Sequence, residues 1–276
     1  MRFGIHLPQY GRAAGGEAIT RVARHAEALG FHDVWVSDHV AIPDGAPYPP
    51  SFLFEPIVAL TWAAAATTRV GLGTSVLVLP YRHPLELAKE LASLDQLSGG
   101  RLTIGIGSGW LQAEFDALDV PYAERGARTD EAIDCMRACW GEQPVTFAGP
   151  TVSFEDLKVV PGPAHPIEIW VGGGAPPALR RAVAKGDGWH GTFSEPERTV
   201  PVLARLRAER PEETFTLSVR TNWDGIATDA GDIERDLDAL AGAGLQHVLV
   251  TPAQGDIDGW LRSADALWER LAPRAD

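Results

Sequence analysis

Cysteine is nearly missing from this 276-residue chain, which has only Cys135 and Cys139. Four apart in a helical pattern, they share one helix face, which suits two buried thiols better than a disulfide or a metal site. Lysine is almost as scarce: Lys89, Lys158 and Lys185 stand among 24 basic residues, and the net charge is −13. So acidic a chain lacks the basic surface that nucleic acid or an anionic membrane demands. No run of about 20 apolar residues occurs, so no membrane span is expected. The N-terminus MRFGIHLPQYG has no signal-peptide core and reads as a strand, which predicts a cytoplasmic protein. Also absent are a Walker A sequence, a GxGxxG fingerprint after the first strand, a GxSxG elbow and any HxH or HxxxH metal spacing.

What remains is a regular alternation. Short β-branched runs and longer amphipathic stretches follow one another, the pattern of repeated βα units. Strands are predicted at 3–8, 33–36, 69–78, 101–107, 167–173, 188–191, 214–221 and 247–252. Helices are predicted at 17–29, 56–67, 84–97, 125–140, 177–185, 197–210, 232–243 and 257–271. The segment 145–160, with two β-like runs around Gly149-Pro150, reads as a hairpin inserted before the fifth strand. Strands apolar along their whole length are those of a parallel sheet covered on both faces. Eight strands and eight helices in about 250 residues predict a single α/β domain, 1–276, folded as a (β/α)8 TIM barrel. An open doubly wound sheet is the alternative, without its usual glycine fingerprint.

Such barrels keep their active sites at the C-terminal strand ends. Four of those exits hold unusual residues. After the second strand comes Ser37-Asp38-His39-Val40, where an imidazole beside a carboxylate can carry a proton near neutral pH. The competing reading is a turn cap next to a surface histidine. On the third strand, Gly73, Thr74 and Ser75 interrupt a β-branched run, which suggests a bulge or a flat ligand lying close to backbone. After the fourth, Gly105, Gly107 and Gly109 clear one face, with Trp110 as a wall for a ring system or as plain core. After the fifth, Gly172, Gly173 and Gly174 lead into a helix starting near Pro176 and Pro177, a setting in which free N–H groups and the helix dipole favour a phosphate. Arg82, Arg180 and Arg181 are candidates for added positive charge, against a reading as ordinary surface charge.

Together, VWVSDH, LGTSVLVLPYRHP, LAKELASLDQLSGGRLTIGIGSGW, ERGARTDEAIDCMRACW and WVGGGAPPALRRAVAKGDGW resemble the luciferase-like monooxygenase superfamily. The likeness is greatest to its actinobacterial branch that uses the deazaflavin coenzyme F420. The resemblance implies a bacterial-luciferase-like barrel that exchanges a hydride between F420 and an unidentified organic substrate, which the loop AIPDGAPYPPSFLF and Trp110 suggest is apolar. It implies Asp38 and His39 beside the ring as catalytic residues. It also implies a non-prolyl cis peptide at Ser75-Val76, and cofactor contacts from Thr74, Ser75, Val76, Val78, Gly107 and Trp110. Gly172, Gly173 and Gly174 are implied at the cofactor's phosphate, and a homodimer is common in the group. In the sugar-phosphate dehydrogenases of this branch a glutamate after strand four donates a proton. Trp110 stands at that position here, and Glu114 follows one helical turn on. The alternatives are an FMN-dependent monooxygenase of the same superfamily and an F420-binding carrier without turnover.

Overall fold

Asp33–Val36 shows how the chain builds its centre, because all four residues of DVWV are buried. A strand buried on both faces must have protein above and below it. The computed structural model, which describes residues 1–275, supplies both layers. Its strands are β1 (Arg2–His6), β2 (Asp33–Val36), β3 (Gly71–Val78), β4 (Leu102–Gly107), β5 (Val145–Ala148), β6 (Ser153–Leu157), β7 (Glu168–Gly172), β8 (Gly188–Gly191), β9 (Thr216–Arg220) and β10 (His247–Val250). Eight of them close a parallel barrel in the order β1, β10, β9, β8, β7, β4, β3, β2. The other two, β5 and β6, pair antiparallel as a separate hairpin. The closed barrel matches the sequence expectation.

The helices are α1 (Gly16–Leu29), α2 (Pro56–Ala66), α3 (Pro84–Ser98), α4 (Gln112–Ala117), α5 (Arg125–Cys139), α6 (Pro176–Lys185), α7 (Pro196–Glu209), α8 (Ala230–Gly242) and α9 (Ile257–Leu271). In α1, Ala18, Ile19, Val22, Ala23 and Ala26 bury one face, the spacing of an amphipathic helix. The helix stops where Gly30 takes φ 107° and returns its N–H to Ala26, a conformation that favours glycine. Cys135 and Cys139 are buried on α5. One helix departs from expectation: six residues after β4 form α4, in what reads from sequence as a loop. So short a helix shows too little periodicity to be recognised. Among the described residues no helix is long and apolar enough to cross a membrane.

The barrel interior is aromatic and polar rather than aliphatic. Trp35, Trp170 and Leu249 form their own buried cluster, and the Trp35 ring stacks on His190 at 5.2 Å and 7°. A Cβ on Gly73 would lie 2.3 Å from the Trp35 ring. That glycine on β3 therefore makes room for an indole of the protein itself and not for a ligand.

Outside the barrel, Glu27 of α1 ties down the turn before β3. Its carboxylate accepts from the N–H groups of Thr68, Arg69 and Val70 and from the Thr68 hydroxyl. Partial burial works against its ionisation, but these hydrogen bonds outweigh that and hold the carboxyl at about 2. A depressed folded-state pKa stabilises the fold above the unfolded value and loses that contribution as pH falls through the folded one. Glu27→Gln is therefore expected to lower the unfolding free energy by about 1 kcal/mol at pH 7. In urea melts the difference should shrink between about pH 4.5 and pH 2.

Candidate active site

The exits of seven barrel strands surround one open cavity of about 760 Å³, within the ordinary range for a small-molecule site. Its floor lies at β3, where the register against β4 slips between Thr74 and Leu77 and the Ser75-Val76 peptide is cis. The slip turns the Val76 side chain toward two neighbouring strands. A Cβ on Gly107 would meet Val76 Cγ2 at 2.7 Å, and one on Gly172 would meet Cγ1 at 2.7 Å. The missing side chains at the ends of β4 and β7 are thus filled by Val76. This corrects the expectation that Gly107 clears space for a ring, and it gives Gly172, expected at a phosphate, a packing role as well. Both glycines seat the bulge, and the bulge forms the floor.

Asp38, His39, Ser75, Val76, Val78, Gly107, Trp110, Gly172, Gly173 and Gly174 all border the cavity. Thr74 does not: it is fully buried and its hydroxyl donates to Gly105 O at 2.8 Å. Its side chain points away from the bulge, so Thr74 is corrected to a structural residue. Asp38 touches the wall, but its carboxylate is occupied. Arg82 reaches both oxygens, at 2.6 and 3.0 Å, and the Val78 N–H donates to one of them at 2.8 Å. This bidentate pair clamps the end of β3 and leaves Arg82, itself paired to Glu55 as well, unable to serve a ligand phosphate.

His39 is differently placed. Its Nδ1 lies 2.9 Å from Glu114 Oε2 on α4. The Glu114 carboxylate also accepts from Tyr81 OH at 2.8 Å and from the N–H groups of Val40 and Ala41. Burial opposes ionisation of Glu114, which is 1% exposed, yet the bonds from His39, Val40 and Tyr81 hold its carboxyl below the usual range. An ionised carboxylate only accepts, so the His39 proton sits on Nδ1, and Nε2 has no hydrogen-bond partner among the described residues. The ring stands edge-on to Trp110 at 5.8 Å. Trp110 in turn stacks on Tyr48 at 6.4 Å, giving the mouth an aromatic rim.

The glycine-rich exit of β7 works differently from the expectation. Pro176 and Pro177 carry no N–H, and those of Ala178 and Leu179 both go to Ala175 O. The first turn of α6 therefore offers no free donors. Gly174 and Ala175, just before the helix, border the cavity, and their N–H groups have no hydrogen-bond partner among the described residues. Cationic side chains reinforce this end. Arg181, which is paired with Asp130, and Arg125 both border the cavity, while Arg180 does not. Arg125 lies over the Tyr122 ring and has no acidic partner among the described residues. Arg220, at the end of β9, reaches the floor from the opposite side. Three arginines face the cavity and Asp38 is the one acid on its wall, so the site is locally positive in a chain of net charge −13.

Sequence reasoning assigned no role to Arg125 or Arg220. A charged residue closing the buried run TFTLSVRT was a usable sign for Arg220; nothing in ERGARTD singles out Arg125.

A parallel barrel with an imidazole–carboxylate pair and a positively lined pocket at its strand ends has the architecture of a barrel enzyme. The chain belongs to the luciferase-like monooxygenase family, whose model matches residues 1–223. It is 34% identical over 229 residues to an uncharacterised protein of Mycobacterium bovis, covering 75% of this chain and 77% of that one. It is 33% identical over 254 residues to an F420-dependent glucose-6-phosphate dehydrogenase of Beutenbergia cavernae, covering 78% and 74%. A solved structure of the oxygenating part of a Pseudomonas putida 3,6-diketocamphane monooxygenase with FMN shares the fold, at TM-score 0.79, 16% identity and coverage of 100% and 99%.

Glu114→Gln leaves the side chain its size but places an amide N–H₂ among four donors. A loss of about 2 kcal/mol in unfolding free energy is expected. Nitrogen-15 spectra should show His39 changing from a single Nδ1–H tautomer to a mixture.

Proposed function

We propose that the protein is an F420-dependent oxidoreductase that exchanges a hydride between the deazaflavin and an apolar, aromatic-compatible organic substrate. The observation that carries this reading is His39: it is oriented by Glu114, it has a free Nε2, and it stands at the aromatic rim of a positively lined cavity. The F420-dependent relative, similar over most of both chains, supports the choice of cofactor.

The residues present fit such a group. Its phosphate and carboxylate tail would meet the Gly174 and Ala175 N–H groups, Arg181 and Arg125. The bulge at Ser75-Val76 offers the flat floor a ring needs. When bound, a deazaflavin supplies hydride chemistry, because carbon replaces the reactive flavin nitrogen. The chain's own part is proton handling and positioning. His39 Nε2 accepts a proton from a substrate hydroxyl during oxidation, or returns one to a carbonyl oxygen during reduction. Glu114 holds the ring's tautomer and stabilises the imidazolium that forms in between. Tyr48 and Trp110 cover the apolar part of the substrate. Trp110 carries no ionisable group, so the acid role of the sugar-phosphate dehydrogenases has no counterpart at this position.

Titrating the protein with F420 and, separately, with FMN, each followed by cofactor fluorescence, tests the assignment. F420 is expected to bind and FMN to bind far more weakly; binding of FMN alone would transfer the protein to the flavin-dependent monooxygenases. F420 binding with no turnover across a panel of alcohols, ketones and enones would indicate a carrier. Where turnover is found, His39→Ala should reduce it at least about 100-fold while changing the F420 Kd by less than about threefold. Equal losses in both would move His39 from acid–base chemistry to cofactor binding.

A further inference from the structure

A chain of polar groups runs down the inside of the barrel beneath the cavity, and His39 does not touch it. At its lower end Asp33 Oδ1 accepts from Trp35 Nε1 and, at 2.9 Å, from His247 Nε2. His247 Nδ1 lies 2.7 Å from Ser218 Oγ, which lies 2.8 Å from His190 Nδ1. His190 Nε2 lies 2.8 Å from Ser75 Oγ, on the bulge that floors the cavity.

The protons in this chain can be assigned from its fixed end. A carboxylate only accepts, so His247 carries its proton on Nε2, and an uncharged ring then accepts at Nδ1. Ser218 has one proton and spends it there, so its oxygen accepts from His190 Nδ1–H. His190 Nε2 is then an acceptor, and the Ser75 hydroxyl donates to it. His190 is fully buried, which disfavours its charged form. Burial first, and then the nearby charge of Arg220, holds His190 neutral. Asp33 also feels Arg2, whose guanidinium lies over the Trp170 ring. Arg220 completes the floor. Its five N–H groups meet four neutral acceptors, namely Ser37 Oγ, Ser75 O, Tyr10 OH and Thr251 Oγ1, and one N–H remains over.

We propose that Asp33, His247, Ser218 and His190 are positioning residues that lock Ser75 Oγ as a hydrogen-bond acceptor in the cavity floor. The ligand atom that meets it must then be an N–H or O–H donor, with Arg220 supplying a donor beside it. An imide edge of the cofactor ring and a hydroxyl of the substrate both carry that chemistry. Only the choice between these two sources rests on the F420 reading; the polarity of the chain does not.

The polarity is read in ligand-free protein labelled with nitrogen-15 at histidine. His190 is expected with its proton on Nδ1 alone and His247 with its proton on Nε2 alone. A proton on His190 Nε2, or an imidazolium at either ring, reverses the chain and overturns the proposal. Ser218→Ala should scramble the His190 tautomer, leave His247 fixed by Asp33, and be rescued by Ser218→Thr. An unchanged His190 would overturn the proposal, and the wild-type spectrum decides alone if the variant does not fold. The ligand side is read with 5-deazariboflavin and its 3-methyl derivative, by fluorescence quenching. A Kd about tenfold weaker for the methylated ring, the value of one hydrogen bond, places the donor on the ring. If the two rings bind equally, or neither binds, benzyl alcohol and benzyl methyl ether decide by ligand-observed NMR. A similar preference for the alcohol places the donor on the substrate, and no preference in either pair overturns the proposal. Failure of both rings to bind sinks the F420 reading and leaves the tautomer result standing.

Discussion

The site rests on the seating of one side chain, Val76, against Gly107 on β4 and Gly172 on β7. With either Cβ present the methyls would be at 2.7 Å, far inside contact distance, and a packed interior has no slack to absorb that. The same contact explains why β4 and β7 both end in glycine around one point. It also sets the cavity floor, because the slipped register that presents Val76 to its neighbours brings Ser75 under the mouth. The Asp38–Arg82 pair and the Val78 N–H then hold the far end of the bulge. The catalytic geometry follows from a packing requirement.

The barrel was legible because its signal is long and repeated: eight buried β-branched runs separated by amphipathic stretches leave few alternatives. The location of the site followed from the same pattern, since strand exits can be counted. What each exit residue does was less legible. Thr74 and Ser75 are neighbours on β3 and point to opposite faces, one to Gly105 O and the other to His190; beyond them the register slips, and the alternation that would assign a face to Val76 is lost. The proline-led start of α6 reads as an anion site, but the two residues that mark it as a helix start remove the donors such a site uses. Glu114 was visible only as an acid one turn beyond Trp110, because its partner His39 lies 75 residues away in sequence.

Charge gives a second contrast between composition and place. A chain of net charge −13 would repel a phosphate with an acidic tail at long range. That repulsion is screened within about 10 Å at ordinary salt. Inside the mouth the balance is set by Arg125, Arg181 and Arg220, and the one acid on the wall is already neutralised by Arg82. The local field therefore has the opposite sign to the whole molecule. Arg181 is spread between Asp130 and Ser108, whereas Arg125 and Arg220 have only neutral acceptors. A guanidinium without a counter-ion in a partly desolvated cleft gains most from an anionic or strongly polar ligand.

The interior of the barrel shows why an apolar-looking strand pattern can hide polar function. Asp33, Ser218, His190 and His247 are single residues embedded in runs such as DVWV, TLSVR, GWHG and HVLV. In sequence they look like tolerated exceptions. In the fold they meet one another, so every buried donor and acceptor among them is matched, and no buried side-chain polar atom among the described residues is left without a partner. Burying four such groups costs more than burying aliphatic ones unless the network is complete. A complete network in which each serine has one proton and each neutral imidazole one donor has little freedom to rearrange. Stability alone could be served by valine or leucine at these positions, as it is on the outward-facing sides of the same strands. The polar choice instead delivers direction to Ser75, on the floor of the cavity.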